Sequence, residues 1–332
     1  MADAHDSQPT VVITDCDHPD VEPERRVFAE AGVEVRLETC ESEDDVIAAA
    51  PDADALIVQY APVGDAVLDA LERCRGVVRY GVGVDTVDVE AATRHGVWVV
   101  NVPDYGTEEV SDHAVALALC LLRGVVALDR SVRDGRWDES AARPLHRLST
   151  RTVGVVGCGR IGAAFARKVQ GLGLRVVGHD PAGMPDELRS AGVEDATLEE
   201  LLEACDAVSL HLPLGPDTEH VIGARALERM RPGAYLINTS RGGLVDSAAL
   251  LSALDAGEIA GAALDVLESE PPEPGDALVN HERVVVTPHA AWYSEESSDT
   301  LKSEVAREAI RIITGERPRS PVNEPSEVRT GG

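Results

Sequence analysis

The amino-acid sequence predicts an α/β protein whose strands form parallel sheets, divided into two domains. Valine-rich runs alternate with alanine-rich amphipathic segments along nearly the whole chain, the pattern of strands joined by crossover helices. The length, 332 residues, suits about two domains. The alternation breaks once, at Pro103, and restarts at Thr152. Hydrophobic residues make up 44% of the chain, enough to fill proper cores. With aromatics at only 3%, those cores are mostly Val, Leu, Ala and Ile.

The first unit reads as strands over 11–14, 33–37, 55–59, 76–80 and 97–101, separated by helices such as 22–31 and 42–50. After Pro103 a long Ala/Leu-rich helix is expected over 107–123 and a second over 125–134. The second unit is larger, with strands over 152–157, 175–180, 207–212, 234–239, 261–266 and 284–287. An amphipathic helix over 295–314 and a polar tail rich in Pro and Glu close the chain.

The formal charge is −29, from 59 acidic and 30 basic residues. Such an excess repels phosphate backbones and anionic lipid, so nucleic acid and membrane surfaces are excluded as expected partners. The basic residues are nearly all arginine; lysine occurs only at Lys168 and Lys302. A dispersed acidic surface almost without lysine resembles proteins of extremely halophilic, salt-filled cytoplasms. There, molar salt shortens the Debye length to about 3 Å and screens the self-repulsion. The six cysteines form no C-x-x-C pair and read as small buried residues of a reducing cytosol. The N-terminus has neither a basic region nor an apolar core, so no signal peptide is expected. The longest apolar run, 114–122, is too short to span a bilayer. A cytoplasmic protein is expected.

The strongest local signal is T-V-G-V-V-G-C-G-R-I-G, residues 152–162. It carries G-x-G-x-x-G at Gly157, Gly159 and Gly162, between an apolar strand and a helix expected over 161–170, with Arg160 and Ile161 also expected at the cofactor. Gly157 permits the tight turn, Gly159 lets backbone approach a pyrophosphate, and Gly162 lets helix pack on strand. The helix N-terminus offers N–H groups to phosphates. Asp180, eighteen residues after Gly162, ends the next strand. It can accept bonds from ribose hydroxyls and would repel a 2′-phosphate. No Lys or Arg follows it until Arg189, so NAD is expected over NADP.

Three polar residues then fall just beyond three successive expected strands: Arg241 in L-I-N-T-S-R-G-G, Glu270 in D-V-L-E-S-E-P-P, and His289 in V-V-V-T-P-H-A-A-W-Y. In an open parallel sheet the carboxyl ends of strands form the ligand crevice. Arginine can hold a carboxylate in two places and polarise a neighbouring carbonyl. Histidine can give a proton to an alkoxide as hydride arrives. A glutamate on its other ring nitrogen favours the imidazolium and fixes the ring.

With these residues in place, the chain resembles the NAD-dependent D-isomer-specific 2-hydroxyacid dehydrogenases over nearly its whole length. The motifs that carry the resemblance are Y-G-V-G-V-D (80–85), N-V-P (101–103), G-C-G-R-I-G, H-L-P-L-G-P-D-T (211–218), N-T-S-R-G-G-L-V-D (238–246), the D-V-x-x-x-E-P of 265–271, and T-P-H. P-H-A-A-W-Y-S-E and E-S-E-P look most like the C-terminal-binding-protein (CtBP) subgroup. The resemblance implies two doubly wound parallel-sheet domains. One is a Rossmann cofactor domain, 103–294, inserted into a flavodoxin-like substrate domain, 1–102 plus 295–332, with hinge closure over substrate. It implies hydride transfer between nicotinamide C4 and substrate C2, with Arg241 binding substrate, Glu270 tuning the histidine and His289 as acid/base. Arg79, Val82 and Gly83 would meet the substrate carboxylate, and Trp292 would line the pocket. Leu212, Pro213, Thr218, Thr239, Ser240 and Asp265 would line the cofactor site. A homodimer is expected, with the helix after Pro103 in its contact. Two departures from the family, Thr86 and Val110, bear on substrate fit rather than activity.

Glu268 rivals Glu270, but the E-P spacing favours Glu270. His211 reads mainly as structural. The cluster D-C-D-H-P-D, 15–20, looks faintly like a metal site with no second ligand group, so no metal is expected. The competing functional reading is an NAD-sensing binding platform like the CtBP corepressors, with little turnover. The chain lacks their long tail and the regulatory domain of longer phosphoglycerate dehydrogenases, which favours the enzyme. Arg241 would read any small 2-oxo acid. A phosphorylated substrate, as in D-3-phosphoglycerate dehydrogenase, would want Arg25, Arg26, Arg73 or Arg75.

Overall fold

The computed structural model describes residues 8–18 and 20–330. The N-terminal stretch read for a leader lies largely outside them, as does Pro19 of the acidic cluster. Contacts divide the chain into two compact units: residues up to Tyr105 together with those from Ser294 onward, and Gly106–Tyr293. These crossings lie a few residues from the expected cuts after 102 and 294. The Tyr105 hydroxyl lies against Gly81 of the smaller unit, and Ser294 caps the final helix, so each belongs with that unit.

The smaller unit holds β1 (Thr10–Ile13), β2 (Glu34–Leu37), β3 (Ala55–Val58), β4 (Gly76–Arg79) and β5 (Trp98–Val100). They pair in parallel, in the order β2-β1-β3-β4-β5. The helix Glu295–Ile313 returns to pack on this sheet and buries Leu301, Val305, Ala309 and Ile312. The tail that read as merely polar is tied down. Asn323, buried, accepts from Val99 N at 2.8 Å and donates to Val97 O at 2.9 Å. Arg329 donates to the carbonyls of Leu68 and Leu71.

The larger unit holds β6 (Thr152–Val156), β7 (Arg175–His179), β8 (Glu194–Asp195), β9 (Ala207–Leu210), β10 (Tyr235–Asn238), β11 (Gly261–Leu264) and β12 (Val284–Val286). All pair in parallel, in the order β12-β11-β10-β9-β6-β7-β8. The order reverses between β6 and β9, the switch point where open α/β sheets bind ligands. β6, β9 and β11 are buried along their whole length, which is why they read as near-continuous apolar runs. β8 was not anticipated: it is two exposed acidic residues at the sheet edge, without an apolar run. No helix of the described residues is long and apolar enough to cross a membrane.

Candidate active site

Every strand of the larger unit stops one or two residues short of its expected end, apart from the unforeseen β8. The residues left over form the loops at the carboxyl ends of the sheet. β10 ends at Asn238, whose buried side chain shapes the next turn: Oδ1 accepts from Ser240 N at 3.0 Å, and Nδ2 donates to Arg241 O at 2.8 Å. This turn presents Arg241, whose Nη1 donates to Ser240 O at 2.7 Å. Asn238 was not singled out in the sequence, although it opens the N-T-S-R motif.

β11 ends at Leu264, and Asp265 follows. Its buried carboxylate accepts from Thr287 Oγ1 at 2.5 Å, Ala290 N at 3.0 Å and Ala291 N at 2.9 Å, and its carbonyl accepts from His289 N at 2.8 Å. Asp265 therefore builds the turn that carries His289, where a residue lining the cofactor site was expected. The carboxylate turns inward because the T-P-H-A-A turn offers it three donors that would otherwise be unsatisfied. His113 backs this turn through a 3.0 Å bond to Thr287 Oγ1; nothing in its helical surroundings marked it.

His289 Nδ1 lies 2.6 Å from Glu270 Oε2, leaving Nε2 as the nitrogen for chemistry. Glu270 Oε1 accepts from Leu267 N at 2.8 Å. Partial burial pushes the Glu270 carboxyl up, but the His289 ring, the Leu267 N–H and the Arg241 charge outweigh it, and the net value lies below the usual range. The rival Glu268 goes elsewhere, to His220 Nε2 at 2.6 Å and Ser247 N at 2.9 Å. β10, β11 and β12 are neighbours, so Arg241, Glu270 and His289 follow three adjacent strands. Trp292 is half-buried against Gly106, its ring edge-on to Tyr293 at 5.6 Å.

The glycine loop turns from β6 into the helix Arg160–Gly171. A Cβ on Gly162 would lie 1.9 Å from Gly157 O, so only glycine lets this helix approach the loop. Gly159, by contrast, has nothing within 4 Å of where its Cβ would be. That open space lies at a helix N-terminus whose first N–H groups lack intrahelical partners, a cradle that fits a pyrophosphate. Asp180 closes one side: Oδ2 accepts from Cys158 N at 2.6 Å and Oδ1 from Ala182 N at 2.8 Å. The first basic residue after it, Arg189, is bonded to Asp195 at 2.7 Å and Asp186 at 3.0 Å. On the far side of β6, Thr239 carries a buried hydroxyl without a hydrogen-bond partner, a group a cofactor could satisfy. These features fit a dinucleotide.

The other expected lining residues are placed less directly. Leu212 is buried and Pro213 exposed. The Thr218 hydroxyl donates to Pro213 O at 2.7 Å and accepts from Gly215 N at 2.9 Å, bracing its own loop. Ser240 Oγ donates to Leu210 O at 2.9 Å. His211 is held by Ser209 at 2.9 Å against the Phe165 ring, and burial drops its pKa to about 3, so it stays neutral.

In the smaller unit, Arg79 ends β4, and Val82 and Gly83 follow it. Arg79 donates from Nη1 to Tyr80 O, and Asn101 Nδ2 holds the Val82 carbonyl at 2.6 Å, leaving the Val82 side chain exposed. Thr86 keeps a buried hydroxyl without a hydrogen-bond partner.

Residues 115–291 match the family model described as D-isomer specific 2-hydroxyacid dehydrogenase, NAD binding domain. The chain belongs to this family. It is 44% identical to the glyoxylate reductase of Korarchaeum cryptofilum over 284 residues, 84% of this chain and 85% of that protein. It is 40% identical to the D-3-phosphoglycerate dehydrogenase of Mycobacterium tuberculosis over 292 residues, 88% of this chain and 55% of that protein. The chain thus spans about half the length of such phosphoglycerate dehydrogenases. Among solved structures, D-lactate dehydrogenase from Aquifex aeolicus, complexed with NAD and lactic acid, superposes with a TM-score of 0.86 at 26% identity. That match covers 95% of this chain and all of the other. The family is one of oxidoreductases, and the larger unit is its NAD-binding Rossmann domain.

Proposed function

We propose that the chain reduces a small 2-oxo acid to the D-2-hydroxy acid, and catalyses the reverse, with NAD(H). The observation that carries this is the 2.6 Å bond between His289 and Glu270, one strand away from Arg241. Gly157, Gly159, Arg160, Ile161 and Gly162 hold the pyrophosphate, Asp180 the ribose, and Leu212, Pro213, Thr218, Thr239 and Ser240 line the remaining cofactor surface. Bound NADH supplies the hydride. Arg241 grips the substrate carboxylate and polarises its carbonyl. His289 Nε2 gives the proton to the substrate oxygen, and takes it back in the oxidative direction. Glu270 keeps the ring oriented and favours its charged form. In the smaller unit, Arg79 with the Val82–Gly83 backbone is the proposed carboxylate contact, and Trp292 a wall of the pocket.

Two observations support a small, unphosphorylated substrate of the glyoxylate or hydroxypyruvate kind. The glyoxylate reductase relative matches along most of its length. In the smaller unit, Arg73 and Arg75 both face the buried Asp54, at 3.1 and 3.7 Å, and Arg26 faces Asp299. The CtBP-like subgroup is the proposed branch, on the P-H-A-A-W-Y-S-E segment. The dispersed acidic surface supports a halophilic source, and six free cysteines support a reducing cytoplasm. A homodimer is supported by the exposed Val125 and Val132 on the helix Val125–Arg133 and by Trp137 beyond it, 91% exposed. The test follows NADH absorbance in high salt with a panel of 2-oxo acids. One substrate should turn over, and His289→Ala should lose about 10²-fold or more. Tight NADH binding with no turnover on any 2-oxo acid would instead favour the binding platform.

A further inference from the structure

We propose that His220 and Glu268 form a second histidine–carboxylate pair that acts as a positioning clamp, fixing the Arg241 turn against the loop that carries Glu270. This rests on the functional reading above. Among the described residues, only two that are not glycine have φ in the left-handed region: His289 at 52° and His220 at 50°. Each is bonded at 2.6 Å to a glutamate, Glu270 and Glu268, two residues apart on one loop. Such backbone is costly for a histidine and persists where its surroundings over-determine it. At His289 the reason is catalysis. At His220 no substrate role has been assigned, yet the same device recurs.

The clamp spans three loops. His220 follows β9, and its N–H donates to Gly243 O at 2.8 Å. Two residues on, Ile222 N donates to Leu244 O at 3.0 Å. From the other side, Glu268 Oε2 accepts from Ser247 N at 2.9 Å while Oε1 meets His220. Between them, the turn at Gly242 is pressed against the Leu267–Glu268 backbone so closely that a Cβ there would lie 1.9 Å from Leu267 C. The segment from Arg241 to Ser247 is thus closed in by one imidazole–carboxylate bond. Leu267, against which it sits, donates to Glu270. The clamp therefore sets Arg241 relative to Glu270, and through Glu270 relative to His289. Neither clamp residue need touch substrate.

The charged groups facing His220 are Glu268, Asp246 and Glu219, all acidic. The bond to Glu268 and these charges raise the His220 pKa, while Glu268 is lowered. The sign follows. The Glu268 contribution is present above the ordinary carboxylate range and lost as pH falls through its lowered value. The His220 contribution is present below the ordinary imidazole value and lost as pH rises through its raised value.

The test compares the wild type with His220→Asn, Glu268→Gln and the double variant. Asparagine tolerates the left-handed backbone, so His220→Asn removes the pair without adding strain. Each single variant should lose on the order of tenfold in kcat/KM, and the double should lose no more than either single, the mark of one coupled unit. The ratio of wild type to His220→Asn should narrow as pH rises through the His220 titration. Additive losses with a pH-independent ratio would overturn the clamp. Hydrogen exchange of the 239–247 segment provides a readout that needs no substrate. Exchange there should quicken in both single variants; unchanged exchange also overturns the proposal. If the wild type turns over no 2-oxo acid but exchange quickens as expected, the clamp stands and the functional reading falls.

Discussion

Replacing Glu270 with glutamine isolates the charge of the pair while keeping its shape. The bond to His289 is 2.6 Å long, and the two side chains are 34% and 31% exposed. A hydrogen bond to a charged group contributes roughly 1.5–3 kcal/mol. Solvent at the open edge screens the pair, so the low end applies, about 1.5 kcal/mol. That corresponds to roughly tenfold in kcat/KM for reduction, where the ring must carry its proton as hydride arrives. A further consequence separates charge from packing. The wild-type carboxyl lies below its ordinary value, so its contribution persists above about pH 4.3 and is lost as pH falls through the lowered value. The ratio of wild type to variant should therefore be steady near neutrality and shrink in acid. Initial rates of NADH consumption across pH give both quantities. A glutamine variant within about twofold of wild type, with a ratio that does not change in acid, would refute the assignment of Glu270 as the group that tunes His289.

The glycine loop offers a contrast between folding and binding. Gly159→Val projects into open space, so it should melt like the wild type yet bind NADH at least about tenfold more weakly by fluorescence titration. Gly162→Ala must displace backbone 1.9 Å away and should cost about 1–3 kcal/mol of stability, read as a lower Tm. Asp265→Asn would turn an amide N–H2 toward the N–H donors of the His289 turn, and should lose about 1–3 kcal/mol together with kcat; normal melting and normal turnover would remove Asp265 as the builder of that turn. Glu24 is fully buried beneath Tyr80, whose hydroxyl donates to it at 2.7 Å, and burial raises its pKa. A raised carboxyl contributes stability that is present below the ordinary value and lost as pH rises through the raised one. Glu24→Gln should therefore raise Tm at alkaline pH relative to wild type, and the gain should vanish in acid.

The strands were legible in the sequence because parallel sheets covered on both faces demand near-continuous apolar runs, as in A-L-I-V of β3 and G-A-A-L of β11. Their ends were not. Thr239, Asp265 and Thr287 fall inside the expected strands, but each lies just beyond the observed one, where the turns begin. That overshoot is informative, since the residues beyond the ladder are the ones that build the site. Arg241, Glu270 and His289 stood out because each is a chemically able side chain a few residues beyond an apolar run, and such a position is set by local order. The residues that hold them did not stand out. His113 reaches Thr287 across 174 positions and His220 reaches Glu268 across 48, so no local pattern records either bond. Asp265 shows the same limit from the other side. Its motif drew the eye to it, but only the fold shows its oxygens turned toward Thr287, Ala290 and Ala291. Groups that perform chemistry must meet a ligand, so they gather at strand ends where order in the chain predicts them. Groups that position those side chains need only meet a partner somewhere in the fold. The two histidines with left-handed backbone express this division: one was read directly from T-P-H, and the other became visible only when its φ and its glutamate were seen together.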